Sequence, residues 1–137
     1  MSHVETLVVP TPGRGLHEIT PLIQRCVTRH LTGDGLCTVL VRHTSASLLI
    51  QENADPSAAR DLEAFFARIA AEHDSLWTHT AEGPDDMPSH VRAALTATSV
   101  SIPVLDGRLG LGTWQGLFLF EHRRRPHRRE LLVHVGS

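Results

Sequence analysis

Ser99-Val100-Ser101-Ile102-Pro103-Val104-Leu105-Asp106-Gly107-Arg108 decides the fold class of this chain. Ser99 to Val104 reads as a strand, and Leu105 to Arg108 reads as a hairpin. Asp-Gly suits the two central positions of a type I′ turn, which need positive φ, and a two-residue loop joins antiparallel neighbours. Downstream, Thr113 to Glu121 alternates. Gln115 and Glu121 fall on one face with Thr113, Leu117 and Leu119, while Trp114, Phe118 and Phe120 fall on the other. Both faces are apolar, which predicts a strand covered on both sides. Leu131 to Val135 is a last apolar strand.

Working upstream, Leu36 to His43 reads as a strand with Cys37, Val39, Val41 and His43 on one face by period two. Leu48 to Gln51 resumes strand character, and Val4 to Val9 is a β-branched run closed by Pro10, Pro12 and Gly13. Helices fit between these runs. Thr20-Pro21 supplies a cap and a proline at the first helical position. Leu22, Ile23, Cys26, Val27 and His30 then follow helical spacing up to Gly33. Asp55-Pro56 opens a second helix, whose stripe Leu62, Phe65, Phe66 and Ile69 is predicted to be buried. A third, short helix is expected to be capped near Asp86 and to pack through Val91, Ala94 and Leu95. The order β-α-β-β-α-α-β-β-β-β predicts an α+β fold, one domain over residues 1–137, with a largely antiparallel sheet and two or three helices.

All thirteen basic residues are arginine, tyrosine is absent, histidines number ten, and the net charge is −2. Schiff-base chemistry, a P-loop lysine and a phenolic general acid are thereby excluded. Histidine, carboxylate, hydroxyl and guanidinium chemistry remain, and histidine is both metal ligand and proton shuttle near neutral pH. Cys26 and Cys37 form neither a disulfide framework nor a Cys-x-x-Cys pair, so they read as buried reduced thiols of a cytoplasmic protein. No apolar run approaches the roughly 18 residues of a membrane span, and the N-terminus has no secretory pattern.

Trp77-Thr78-His79-Thr80-Ala81-Glu82-Gly83-Pro84-Asp85-Asp86-Met87-Pro88-Ser89-His90 gathers titratable groups around residues that resist regular structure. His79 and His90 match no standard zinc spacing, so they read either as surface histidines or as ligands. His43, at the end of a strand, reads either as a hydrogen-bonded core residue or as a third ligand. One of Asp85 and Asp86 is expected to cap the third helix. The other is then free for magnesium, for a ligand histidine or for proton transfer. Gln115 reads as a structural amide or a pocket wall. The run His122 to Arg129 reads as a solvated hairpin loop or, more sharply, as a phosphate or nucleic-acid contact; few aromatics accompany it, so base stacking has little support.

Together these motifs resemble the YjbQ (UPF0047) family, whose members show secondary thiamine-phosphate synthase activity. The resemblance rests on Arg14-Gly15-Leu16-His17, His43-Thr44-Ser45-Ala46-Ser47-Leu48, Glu52-Asn53-Ala54-Asp55-Pro56 and Asp61. It continues through His79, Glu82-Gly83, Asp85 to His90, Gly112-Thr113-Trp114-Gln115-Gly116 and Glu121-His122-Arg123. It implies a small α+β subunit that assembles as a homotrimer, with a polar pocket near the subunit interfaces. By the same resemblance His43, His79 and His90 would form a metal site, zinc being favoured by ligand type. Asp86 and Asp85 would orient ligands or handle protons, and Glu82 or Asp86 would be the base were the reaction a hydrolysis or elimination. Ser45, Asn53 and Gln115 would shape the pocket, and Arg123 would meet a phosphate. Gln51 stands where family members often carry asparagine, and Thr78 and Thr80 stand where relatives often carry acids.

The implied reaction joins an aminopyrimidine methyl diphosphate to a thiazole phosphate and expels pyrophosphate, with magnesium as a possible companion of the diphosphate. Three other classes stay open: a metal-dependent hydrolase or lyase on a small phosphorylated metabolite, a non-catalytic metal- or metabolite-binding protein, and a nucleic-acid-binding protein acting through His122 to Arg129.

Overall fold

A computed structural model describes the whole chain, Met1–Ser137. Eleven elements follow in order: β1 (Ser2–Thr11), β2 (Gly15–Glu18), α1 (Thr20–His30), β3 (Gly35–Val41), β4 (Ala46–Glu52), α2 (Pro56–Ile69), α3 (Asp86–Leu95), β5 (Ser99–Leu105), β6 (Arg108–Leu109), β7 (Gln115–Glu121) and β8 (His127–Gly136). They form two antiparallel sheets, one ordered β1-β8-β3-β5-β6 and the other β2-β7-β4. This is the α+β architecture expected. The one strand not foreseen is β2, which at four residues is too short for period two to announce itself.

The hairpin that decides the class forms as read. Leu105 pairs with Arg108, and Asp106 and Gly107 take φ values of 51° and 77°. The core lies between the sheets. Cys37, Val39 and Val41 of β3, Val133 and Val135 of β8, Ile23, Cys26 and Val27 of α1, and Leu117 and Leu119 of β7 make one buried cluster. β7 is covered on both sides as predicted, because Phe120 on its other face packs edge-on against Phe66 of α2 at 5.4 Å.

Both later helices differ from their predicted faces. Within the stripe Leu62, Phe65, Phe66 and Ile69 only Phe66 is buried; Phe65 and Ile69 are about half exposed. The helix meets a narrow three-stranded sheet, which has room for one ridge of apolar side chains. In α3 the buried residues are Asp86, Pro88, Ser89, Arg92 and Ala93, whereas Ala94 and Leu95 face outward. Arg92 turns inward because Glu63 of α2 meets its Nη1 at 2.7 Å, a charge-assisted bond stronger than the contact Leu95 could make. Thr20 also does not cap α1: its hydroxyl donates to Glu18 at 2.9 Å and accepts from the Leu117 amide at 2.8 Å. Asp55 does cap α2, accepting from the Ser57 amide at 2.9 Å.

The run His122 to Arg129 is not a solvated hairpin loop. β7 and β8 belong to different sheets, so the segment crosses between them. His122 and Arg129 are buried, and Arg129 forms a two-pronged pair with Glu121 of β7. Arg125 and Arg128 remain exposed.

Candidate metal and active site

The centre forms where the irregular segment 70–85 runs into α3. Turns at Asp74 and Gly83 shape the segment, and the Trp77 indole N–H donates to the Ala71 carbonyl at 2.8 Å. α3 carries Asp86 and His90 one turn apart, so both project from the same helical face. His79 meets them from the irregular segment. His79 Nε2 lies 2.9 Å and His90 Nε2 lies 3.3 Å from Asp86 Oδ2. The three ligand atoms lie within 4.8 Å of one another.

These contacts fall within ion-pair distance but not along hydrogen-bond directions, and Asp86 Oδ2 has no hydrogen-bond partner although it is buried. His90 explains why. Its Nδ1 faces the Thr44 carbonyl at 3.2 Å, and a carbonyl only accepts, so Nδ1 carries a proton. In the neutral ring, Nε2 then presents a lone pair to a carboxylate oxygen. Two acceptors facing each other call for a cation between them, either a proton or a metal ion. Two imidazoles and one carboxylate suit zinc or another first-row divalent ion, and the Thr44 carbonyl is the type of outer partner that fixes a ligand imidazole.

Arg123, at the exit of β7, holds the other side of this group. Its Nη1 donates to Asp86 Oδ1 at 2.5 Å, its Nη2 donates to the Glu82 carbonyl at 3.0 Å, and its Nε lies 3.3 Å from Asp85. Nη1 and Nη2 are thus taken up by this chain while Nε has no hydrogen-bond partner, so Arg123 is a clamp on the aspartates, and the phosphate contact expected of it would compete with them. Neither aspartate caps α3 through its side chain. Asp85 occupies the cap position, but its Oδ2 accepts from the Arg124 amide at 3.0 Å. Burial acts to raise the Asp85 pKa, yet the Arg124 amide and the Arg123 charge outweigh it and hold it below the usual carboxylate range. Glu82 leaves its own carboxylate exposed.

His43 does not join the group. Its Nε2 accepts the Glu130 amide at 2.8 Å, and burial together with the Arg129 charge lowers its pKa, so the ring is neutral. It lines an open cleft of about 270 Å³ whose other wall includes His90. Ser45 contributes its carbonyl, which receives the His122 amide and Arg129 Nη2. Asn53 and Gln115 lie elsewhere. Ala46 pairs with Glu121 at one end of β4–β7 and Glu52 with Gln115 at the other, about 20 Å away at roughly 3.4 Å per residue. There Asn53 Nδ2 donates to Glu18 at 3.2 Å, and Gln115 Oε1 accepts from the Gly112 amide at 2.8 Å, a structural amide. Gly116 permits that approach, since a Cβ there would sit 2.6 Å from Glu18 Oε2.

On its outer side the centre opens into a cavity of about 220 Å³, lined in part by His79, Trp77, His73 and Met87. Sequence reasoning missed the roles of Arg123 and Thr44. The position of Arg123 directly after the Glu121-His122 pair gave no sign that its partners sit 37 and 38 residues upstream.

Fold and site together define an α+β protein of two antiparallel sheets, with a histidine–carboxylate cluster at the start of a short helix. The sequence profile of the family described as UPF0047 protein YjbQ-like matches residues 5–137. The chain belongs to this YjbQ/UPF0047 family. A UPF0047 protein of Synechocystis sp. is 57% identical over 135 residues, covering 98% of this chain and 92% of that protein. The UPF0047 protein YjbQ of Escherichia coli O157:H7 is 38% identical over 134 residues, covering 97% and 96%. The crystal structure of a conserved hypothetical protein from Thermus thermophilus superposes with a TM-score of 0.84 at 35% identity, covering 94% of this chain and 97% of that one. No helix is long and apolar enough to cross a membrane.

Proposed function

We propose that this chain is a metal-dependent transferase in which His79, His90 and Asp86 hold a divalent ion, zinc being favoured by the donor set. The reaction implied by the family resemblance is of the thiamine-phosphate synthase type: an aminopyrimidine methyl diphosphate is joined to a thiazole phosphate, and pyrophosphate leaves. One observation carries the proposal: a buried carboxylate oxygen with no hydrogen-bond partner, faced by two imidazole nitrogens. When bound, a divalent ion supplies Lewis acidity toward a phosphate or diphosphate oxygen; magnesium carried in with a diphosphate substrate fits the same role.

The protein's own groups have separate tasks. Arg123 fixes Asp86 by one oxygen and leaves the other for the cation. The Thr44 carbonyl keeps the His90 proton on Nδ1. Asp86 and Asp85 are both committed, so Glu82 is the acid that remains free to move a proton. The cavity beside Trp77 and Met87 offers an apolar wall to a substrate next to the polar centre.

A homotrimer in the cytoplasm belongs to the same proposal. The outward face of the five-stranded sheet supports self-association through two apolar patches: β1 turns Val4 and Val8 outward, and β3, separated from it by β8, exposes Leu36 and Leu40. Asn53 and Gln115, remote from the centre within one chain, would then serve a pocket assembled from neighbouring subunits.

Metal analysis of the purified protein, followed by turnover assays with and without a chelator, tests the proposal. Bound zinc with chelator-sensitive pyrophosphate release is the expected result. Chelator-sensitive hydrolysis or elimination on other phosphorylated metabolites would move the same residues to a hydrolase or lyase, with Glu82 as base. Bound metal with no turnover would leave a binding protein, and no metal would remove the centre from the function.

A further inference from the structure

We propose that Glu5, Cys26 and His30, with His3 beside them, form a second metal site that ties the edge strand β1 to helix α1 through a zinc-like divalent ion. None of these residues belongs to the centre at His79, Asp86 and His90, and the inference stands apart from the reaction proposed above.

The site follows from two periodicities. His3 and Glu5 are two apart on β1, so both point from the sheet toward α1. Cys26 and His30 are four apart on α1, so both lie on one helical face. The four donor-bearing side chains therefore face one another. Glu5 Oε2 lies 3.2 Å from Cys26 Sγ and 3.0 Å from His30 Nε2, and the three ligand atoms lie within 4.8 Å of one another. The His3 ring stacks on that of His30, with centroids 4.4 Å apart.

Around a tetrahedral zinc with bonds of about 2.0–2.3 Å, ligand atoms lie roughly 3.3–3.6 Å apart. The two separations from Glu5 Oε2 need to widen by only a few tenths of an ångström, and Cys26 Sγ and His30 Nε2 are within 4.8 Å of each other, within reach of side-chain rotation. Thiolate, imidazole and carboxylate together select zinc over magnesium or calcium. Arg29 Nη2 meets Glu5 Oε1 at 2.6 Å, which orients the carboxylate so that Oε2 faces the thiol and the imidazole. Without metal, the Cys26 S–H and the His30 N–H both point at that oxygen. Metal entry replaces them: the Cys26 thiol loses its proton to solvent as the sulfur–metal bond forms, and His30 binds through Nε2 with its proton on Nδ1. Glu5 and His30 are partly exposed, which gives the ion a path to a fully buried sulfur.

Cobalt separates the two centres, because a thiolate gives a charge-transfer band in the near ultraviolet and histidine and carboxylate do not. The metal-free full-length chain is titrated with Co2+ while this band and the bound cobalt are followed. The band is expected in the wild type and in His90→Ala, and it is expected to vanish in Cys26→Ser, which keeps the His79 centre and its cobalt. Zinc is expected to raise the thermal midpoint of His90→Ala more than that of Cys26→Ser/His90→Ala. A wild-type chain that shows no thiolate band at millimolar cobalt overturns the site, as does a band that survives Cys26→Ser. Should the serine variant fail to fold, Glu5→Gln carries the test: at least tenfold weaker cobalt binding in the band supports the site, and unchanged binding overturns it.

Discussion

Arg123 donates to Asp86 and to the Glu82 carbonyl and lies against Asp85, so one guanidinium offsets two adjacent buried carboxylates. Removing it leaves both charges where water reaches poorly, at a cost on the order of 3–5 kcal/mol. Arg123→Met is therefore expected to lower the urea midpoint strongly at pH 7 and less near pH 4, where Asp85, no longer held down by the Arg123 charge, protonates and relieves part of the unpaired charge. An equal loss at both pH values would show that Arg123 acts by packing alone. Asp86→Asn keeps the shape of the side chain but removes the charge that balances a cation, and His90→Ala removes one nitrogen donor. Each is expected to abolish most metal content and most turnover while the oligomer persists. Full activity in both variants would take these residues out of the mechanism.

At the scale of elements, what could be read in the sequence followed the strength of local periodicity. Asp106-Gly107 fixed a hairpin because backbone φ leaves little choice there. β3 declared its buried face through strict alternation, and β7 declared cover on both sides because both of its faces are apolar. α2 and α3 were located from Asp55-Pro56 and from Asp86 and Pro88, but their buried faces were misread, since an apolar stripe does not reveal what a helix will pack against. His79, Asp86 and His90 were visible as candidates by residue type. Their convergence was not, because it depends on the path of segment 70–85 and on an arginine from β7. The assignment of His43 failed to anticipate that the Glu130 amide claims its Nε2.

His122, at the end of β7, makes an element-scale prediction. Its Nε2 meets Ser47 Oγ at 2.8 Å, and burial, reinforced by the Arg92 charge, pushes its pKa down to about 3. As pH falls from about 6.5 the unfolded chain takes a proton that the folded chain refuses, so stability is lost on acidification across that window, by up to about 1.4 kcal/mol per pH unit. His122→Gln does not titrate. Its stability deficit relative to wild type at pH 7 is expected to narrow by about 2 kcal/mol at pH 5, read from urea unfolding. A constant deficit would place the histidine's titration elsewhere.

For the whole molecule, the outward face of the five-stranded sheet sets the assembly question. Leu40 is about two-fifths exposed and pairs with Leu132 on β8. In an isolated subunit Leu40→Glu would change stability by no more than about 0.5 kcal/mol. In a trimer closed through this face it would place three charges in the interface. Light scattering is expected to give a trimer for the wild type and a monomer for Leu40→Glu, with the isolated subunit still folded. A monomeric wild type at micromolar concentration would rule the assembly out.

Cys26 and Cys37 have no exposed surface and sit on different parts of the framework, one on α1 and one in the middle of the central strand β3. Burial pushes the Cys37 thiol up to about 11, and burial with the Glu5 carboxylate pushes that of Cys26 up to about 12, so neither reacts from the closed state. Alkylation at each position thus times an opening motion. Cys26 becomes reactive when α1 lifts from the edge strand, whereas Cys37, deeper in the same buried cluster, becomes reactive only when that cluster is opened down to β3. Two labelling rates on one chain would accordingly distinguish fraying at its rim from loss of its centre, with no engineered cysteine added.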